Sequence, residues 1–379
     1  MNLNKLPKIS LYIHIPWCIK KCHYCDFNSF LIKKKIPYKQ YIKNLLEDLD
    51  NDIKYISGRN IHTIFIGGGT PSLFPLKSIK ILIKEIKKRF LISDKTEITL
   101  ETNPESSSNN LFYEYKKIGI NRISIGIQTL DKNKLFNLGR INNHYNINLI
   151  CKLIYSKYIK NFNFDLMYGL PNQSISESIK DLNNIIYSKP DHISWYQLTI
   201  EPNTYFYYVP PILPNENNIW KMYKLGNNIL KKSGYLQYEI SSYAKEKKFR
   251  CKHNINYWKF GDYIGIGCGS HGKITLKDGT VIRIMKSRNI INYMNKNYIY
   301  KIYNVDYNNL IIEYFMNRFR LSESIPRSEF YYYTGIKEIN IRKSINKAIK
   351  KKYIKENDLY WTITDFGKLF LNFLIELFI

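Results

Sequence analysis

Acidic residues are scarce in this chain. Its 31 Asp and Glu stand against 58 Lys and Arg, a net charge of +27 over 379 residues. Taken alone, that imbalance suggests an anionic partner, either nucleic acid or a membrane surface. Lysine, however, is spread along the whole chain and rises together with Ile, Asn and Tyr, as between Asn292 and Lys301. Drift toward A/T-rich codons produces that joint bias, so no nucleic-acid partner is expected. Apolar runs of membrane-spanning length are missing. The nearest candidate, Leu369 to Ile379, is short, carries Asn372 and Glu376, and reads as a terminal core helix. Met1-Asn2-Leu3-Asn4-Lys5 leads straight into a polar stretch, so no signal peptide is expected. No convincing internal repeat or flexible linker is found. Cysteine is also sparse, six in all with three in one run, which fits a reducing cytoplasm and not a disulfide scaffold. What remains is a 44% apolar chain, enough for one barrel-sized domain and a smaller one.

The three clustered cysteines lie in Trp17-Cys18-Ile19-Lys20-Lys21-Cys22-His23-Tyr24-Cys25-Asp26-Phe27, a Cys-x3-Cys-x2-Cys spacing. Three thiolates suit a [4Fe–4S] cluster with one iron left open to a substrate, whereas four would close it. Zinc is the plain alternative, but it wants four ligands. His23 sits between two cysteines and cannot easily turn inward with both, and no second pair lies near in sequence. A disulfide reading fails on the odd number. The run resembles the cluster loop of the radical S-adenosylmethionine (SAM) superfamily, in which SAM takes the fourth iron. Tyr24 fills the aromatic position common before the third cysteine of that loop.

Apolar runs alternate with helical patterns along the chain. Strands are expected at Ser10–Ile15, Ile61–Ile66, Thr96–Leu100, Arg122–Ile127, Asn163–Tyr168 and His192–Leu198. Helices are expected at Tyr38–Ile56, Leu76–Phe90, Asn109–Ile118, Lys132–Leu138, Tyr145–Tyr158, Ser176–Tyr187 and Glu216–Lys232. Such alternation implies a parallel sheet with crossovers of one hand. Six units suit an open partial barrel, where eight would close it, and the chemistry of such barrels sits at the C-terminal strand ends. The cysteine loop, Gly67-Gly68-Gly69-Thr70, Glu101 and Gln128 fall at those ends. The expected fold class is thus α/β, a partial (β/α)6 TIM-type barrel with a small C-terminal helical, winged-helix-like domain. The expected domains are residues 1–240 (barrel), 241–300 (an extension with His253-Asn254-x-x-Tyr257-Trp258 and the glycine-rich loop Gly265–Gly272) and 301–379.

Several candidate residues are ordinary when taken alone. A triple glycine after a strand lets the backbone approach a ligand closely, or simply makes a tight turn. Glu101 would accept from ribose hydroxyls or be a solvated charge. Arg140 reads equally as a surface cap, and Tyr12 as core. Cys151 and Cys268 read as small buried residues.

The match extends further, through Tyr12-Ile13-His14-Ile15-Pro16-Trp17-Cys18, Gly67-Gly68-Gly69-Thr70-Pro71-Ser72, Glu101-Thr102-Asn103-Pro104-Glu105, Ser124-Ile125-Gly126-Ile127-Gln128, Leu138-Gly139-Arg140 and Asp165-Leu166-Met167-Tyr168-Gly169-Leu170-Pro171. With Phe315-Met316-Asn317-Arg318-Phe319-Arg320, these resemble the branch that holds oxygen-independent coproporphyrinogen III oxidases and HemW-type heme chaperones. The resemblance implies SAM contacts at Tyr12, Tyr24, Gly68, Gly69, Thr70, Glu101, Gln128, Arg140 and Asp165, and cluster ligands at Cys18, Cys22 and Cys25. In the oxidase, Gln128, Arg140 and Asp165 would serve a second SAM. Phe27 replaces a further cysteine of the oxidases, and only seventeen residues precede Cys18 where the oxidases have a long arm. Both departures favour the chaperones. So does His253-Asn254-x-x-Tyr257-Trp258, which resembles their heme signature and implies His253 as heme-iron ligand, with Tyr257 and Trp258 against the porphyrin. Arg250 and Lys252 would pair with propionates, and Cys251 is a second candidate for attaching heme; the plain reading has His253 and Asn254 buried to fix a loop. The expected function is a heme chaperone without coproporphyrinogen oxidase activity, carrying a [4Fe–4S] cluster, SAM and heme. Its expected partner is a heme-acceptor protein, with transient contact at a membrane surface left open. The oxidase itself, and a radical SAM enzyme acting on RNA, are the alternatives.

Overall fold

A computed structural model describes residues 6–104, 109–140, 159 and 161–379. The helix expected at Tyr145–Tyr158, and Cys151 within it, lie outside the described residues. Six parallel strands form the heart of the sheet: β1 (Ile9–Ile15), β2 (Ile61–Gly68), β3 (Glu97–Thr102), β4 (Arg122–Gln128), β5 (Phe162–Tyr168) and β6 (His192–Gln197). These strands are buried on both faces, with apolar side chains alternating with buried or half-buried polar ones such as Ser10, His14, Ser124, Asn163 and Asp165. The crossovers include α1 (Tyr38–Asp52), α2 (Leu76–Arg89), α3 (Asn109–Lys117), α4 (Lys132–Asn137) and α5 (Ile175–Tyr187). The helix α6 (Glu216–Lys232) follows β6. A capping box fixes the start of α5: Ser174 accepts from the Glu177 amide, and Glu177 accepts from the Ser174 amide.

The sheet does not stop at six strands. A hairpin of β7 (Leu236–Glu239) and β8 (Ser242–Ala244) adds antiparallel to β6. At the other edge β9 (Asp262–Ile266) pairs parallel with β1, and β10 (His271–Thr275), β11 (Val281–Lys286) and β12 (Ile299–Asn304) continue antiparallel from it. The order is β12-β11-β10-β9-β1-β2-β3-β4-β5-β6-β8-β7, an open twelve-stranded sheet. The 241–300 segment therefore widens the barrel sheet. Its glycine-rich stretch is partly strand: a Cβ on Gly265 would lie 2.0 Å from the His271 carbonyl oxygen, so only glycine fits between β9 and β10.

Between β8 and β9 runs a short helix, α7 (Lys252–Trp258), which carries the His-Asn-x-x-Tyr-Trp residues. The C-terminal part has helices α8 (Tyr307–Arg318), α9 (Arg327–Thr334) and α10 (Arg342–Lys350). With them goes a small sheet of β13 (Ile325–Pro326), β15 (Tyr360–Ile363) and β14 (Ile354–Glu356). That is the winged-helix-like arrangement expected, with one more strand than the two-stranded wing. It has its own core around Phe315, Phe330 and Trp361, into which Phe260 and Val281 reach from the barrel side. No helix among the described residues is long and apolar enough to cross a membrane.

Candidate functional site

The chain leaves β1 at Ile15 and enters the cysteine loop at the C-terminal mouth of the sheet. Trp17–Cys18 pairs in parallel with Phe30–Leu31, so the loop closes on itself. A turn brings the Cys25 amide to the Cys22 carbonyl (3.1 Å), and the His23 amide bonds the Leu138 carbonyl (2.9 Å). Asn28 anchors the far side by donating to the carbonyls of Cys268 (3.0 Å) and Arg288 (3.2 Å). His14 Nε2 meets the Asn28 carbonyl (2.9 Å). The loop is thus held by β1, by α4 and by the strands added after residue 260.

Cys18, Cys22 and Cys25 all line one cavity of ≈ 370 Å³ at this mouth. No three His, Cys, Asp or Glu side chains among the described residues converge on a single metal ion. Burial pushes the Cys18 thiol up and the Cys25 thiol to about 11, so without metal both are protonated near neutral pH. Thr70 Oγ1 donates to Cys18 Sγ (3.6 Å).

Strand ends β2 to β5 supply the rest of the wall. Gly68, Gly69 and Thr70 come from β2, Glu101 from β3, Gln128 from β4 and Asp165 from β5; Arg140 and Tyr24 complete it. The glycines are forced by close approach. A Cβ on Gly69 would lie 2.6 Å from the Trp17 carbonyl oxygen and 2.9 Å from Cys18 Sγ. Gly68 has φ +113°, and a Cβ there would meet the His14 ring at 2.6 Å. Gly68 donates its amide to Glu101 Oε2 (3.0 Å). Burial, then the Asp165 charge, raises the Glu101 carboxyl to about 8. Asp165, also pushed up by burial, accepts from Ser124 (3.2 Å) and Asn163 (2.7 Å). Gln128 sits at φ +68°, where β4 and β5 slip register, and accepts from the Tyr196 hydroxyl (2.8 Å). A non-glycine residue held there is strain stored at a site. Arg140 Nη1 donates to the Gly126 carbonyl across the same bulge.

Tyr12 is placed differently. It does not line the mouth cavity. Its ring stacks on Phe65, and its hydroxyl bonds His14 Nδ1 (2.9 Å) inside the barrel. The expected heme residues are not at the mouth either. The helix α7 seats near the N-terminal ends of β1 to β3. His253 is buried, with Nδ1 on Thr63 Oγ1 (2.9 Å) and its ring against Phe65 at 5.0 Å between centroids. Burial holds its imidazole neutral, down to about 3. Tyr257 packs on Trp258 and Tyr263, and Trp258 lies under the Arg320 guanidinium at 4.4 Å. Cys251 and Cys268 are buried. Tyr196 was missed, although it ends a strand at the mouth; Asn28 carried no sequence signal, because its partners lie some 240 to 260 positions away.

Comparison with known proteins agrees with this geometry. Residues 12–184 match the radical SAM superfamily. The chain is 48% identical over 375 residues to the Escherichia coli protein named heme chaperone HemW, and 50% identical over 379 residues to the Haemophilus influenzae protein of that name. It is 51% identical over 375 residues to the one from Buchnera aphidicola of Schizaphis graminum. Each alignment covers 99% of both chains. In fold it is similar to the coproporphyrinogen III oxidase HemN of Escherichia coli, with a TM-score of 0.82 at 18% identity, covering 98% of this chain and 90% of that one. The end-to-end likeness places this chain in the HemW family of the radical SAM superfamily.

Proposed function

We propose that the chain binds heme and passes it to an acceptor protein, on a scaffold that carries a [4Fe–4S] cluster and SAM. The observation that carries this reading is the likeness, from end to end, to relatives named heme chaperones. Cys18, Cys22 and Cys25 would hold the cluster through three of its irons. Their positions around one cavity suit a polynuclear cluster, which is wider than a single ion. Gly68, Gly69 and Thr70 would bring backbone against SAM. Glu101, protonated below about pH 8, can both accept from and donate to ribose hydroxyls. Gln128, Arg140, Asp165 and Tyr24 would fill the remaining wall, and Tyr12 would act one layer below, through His14. Bound there, a reduced cluster would supply an electron to SAM. The acceptor would be met in the cytoplasm, where thiolates stay reduced, and no nucleic acid enters the reading.

The oxidase reading has the fold in its favour but not the loop. Phe27 stands at the mouth, more than half exposed, where the oxidases have a further cysteine. The purified protein with reduced cluster and SAM should bind heme and form no protoporphyrinogen from coproporphyrinogen. Decarboxylated product at catalytic turnover would sink the chaperone reading.

A further inference from the structure

A second cavity, of ≈ 670 Å³, opens between α6, the β7–β8 hairpin and the C-terminal domain. It lies within the usual size of about 300–1,000 Å³ for small-molecule sites. The mouth cavity is little more than half as large and belongs to the cluster and SAM on the reading above. Trp220 and Tyr223, one helical turn apart on α6, stack at 5.5 Å and 17° and face the cleft. Leu236 and Leu369 flank it, and both are exposed although apolar.

The charges around this cleft are unequal. Its two carboxylates are already paired: Glu323 with Lys259 (2.7 Å) and Arg318 (3.4 Å), Asp365 with Lys368 (3.2 Å). Lys224, Lys231 and Arg250 line it with no carboxylate partner among the described residues. An unpaired lysine is ordinary on a chain of net charge +27. Three cations around an aromatic cleft whose two acids already have ion-pair partners form a pattern that fits a flat apolar ring with carboxylates at its edge. Lys224 Nζ already sits 4.7 Å from the Trp220 ring, and the Arg250 guanidinium 5.3 Å from the Tyr238 ring.

The signature helix touches this cleft from behind. Arg250 and Cys251 lead directly into α7. The Cys251 amide donates to the Tyr238 hydroxyl (3.1 Å), and Tyr238 lines the cleft. The same hydroxyl bonds His192 Nε2 (2.7 Å) in the barrel interior. His253 thus anchors the helix that sets the position of Arg250 and Tyr238.

We propose that this cleft, walled by Trp220 and Tyr223 and ringed by Lys224, Lys231 and Arg250, is the seat of a dicarboxylate tetrapyrrole, the heme of the chaperone reading on which this inference rests. His253 is then a structural residue of α7 that lies outside the seat. The lining has no His, Cys or Met, so the iron would take a tyrosine hydroxyl, a lysine amine or water as axial ligand. A weakly ligated heme is readily handed on.

The test is a Soret titration of the anaerobically reconstituted full chain with heme. Lys231→Glu combined with Arg250→Glu should raise Kd by about tenfold or more, as loss of charge-assisted contacts to two carboxylates would. Lys224→Glu, on an exposed helix face, should act in the same direction. Far-UV circular dichroism and the iron–sulfur absorption should be unchanged in both. His253→Gln, which keeps a hydrogen-bonding group near Thr63, should leave Kd within about twofold of the unaltered chain. If the unaltered chain binds heme and the charge reversals bind it equally well, the seat is elsewhere. Loss of binding in His253→Gln alone would move it to α7. No heme binding by the unaltered chain would overturn the chaperone reading and this seat with it.

Discussion

At the residue scale, the mouth separates groups that hold a cofactor from groups that merely allow one. Cys18→Ser, Cys22→Ser and Cys25→Ser should each abolish the broad iron–sulfur absorption of the reconstituted protein, since each thiolate would hold one iron. Cys268→Ser should leave that absorption intact: Cys268 is buried behind Asn28 and does not line the cavity. Gly68 is less free than a ligand-binding loop would need. A Cβ there strikes His14, and φ is +113°, so Gly68→Ala should cost about 1–3 kcal/mol, read from urea unfolding, besides any loss of SAM affinity. His192 offers a pH test. Burial, then Arg122, holds its pKa well below 6.5. Its depressed pKa contributes stability that is complete above the unfolded value and is lost as pH falls toward the folded one. The stability deficit of His192→Gln should therefore shrink by about 1 kcal/mol between about pH 6.5 and 5.5. Urea midpoints of variant and unaltered chain, compared at each pH, give the slope; the comparison cancels opposite contributions from raised carboxyls such as Glu101 and Asp52.

Elements are joined here by buried carboxylates placed where one strand or helix begins and another ends. Glu97, the first residue of β3, accepts the amides of Lys252 (3.1 Å) and His253 (3.0 Å). It caps α7, which has no side-chain cap of its own from Cys251. Glu97→Ala should loosen α7 at a cost of about 1–3 kcal/mol, with Glu97→Gln intermediate because it keeps one acceptor; thermal unfolding followed by circular dichroism reads both. Asp48 of α1 plays the same part at the other edge. It pairs with Lys286 of β11 at 2.5 Å and accepts from the Tyr293 hydroxyl (2.7 Å) and the Gly267 amide (3.1 Å). The first helix is thereby tied to strands more than 200 positions later, and these same strands hold the cysteine loop through Asn28.

On the scale of the whole molecule, the C-terminal domain packs on the barrel through a shared apolar core around Phe260 and Val281 and through ion pairs such as Arg283–Glu313 and Lys259–Glu323. Arg320 reaches the buried carboxylate of Glu239 at the end of β7 (2.6 Å) while stacking on Trp258. Arg320→Ala should cost about 1–3 kcal/mol, because Glu239 would stay buried without its cation. Since Arg320 joins the two parts, a biphasic urea transition in that variant would show them parting there. A single unshifted transition would show that the contact carries no stability.

Much of this protein was readable before any coordinates. The six β/α units were legible because each strand is a short run with apolar residues at least at every second position, set between helical patterns. The mouth was legible because residues at the ends of successive parallel strands converge whatever the rest of the chain does. Strand boundaries moved by only a residue or two. Three things depended on tertiary structure. The Gly265–Gly272 stretch reads as a loop, since glycine marks turns in a sequence; close approach to His271 makes part of it a strand beside β1. Tyr12 alternates onto the inner face of β1, but its depth below the mouth depends on where His14 and Phe65 pack. His253 lies in a polar, aromatic segment that looks equally suited to a surface and to a core. Its burial against Thr63 and Phe65 comes from the capping of α7 by Glu97, a contact across 156 positions, and local pattern carries no information about pairings of that range.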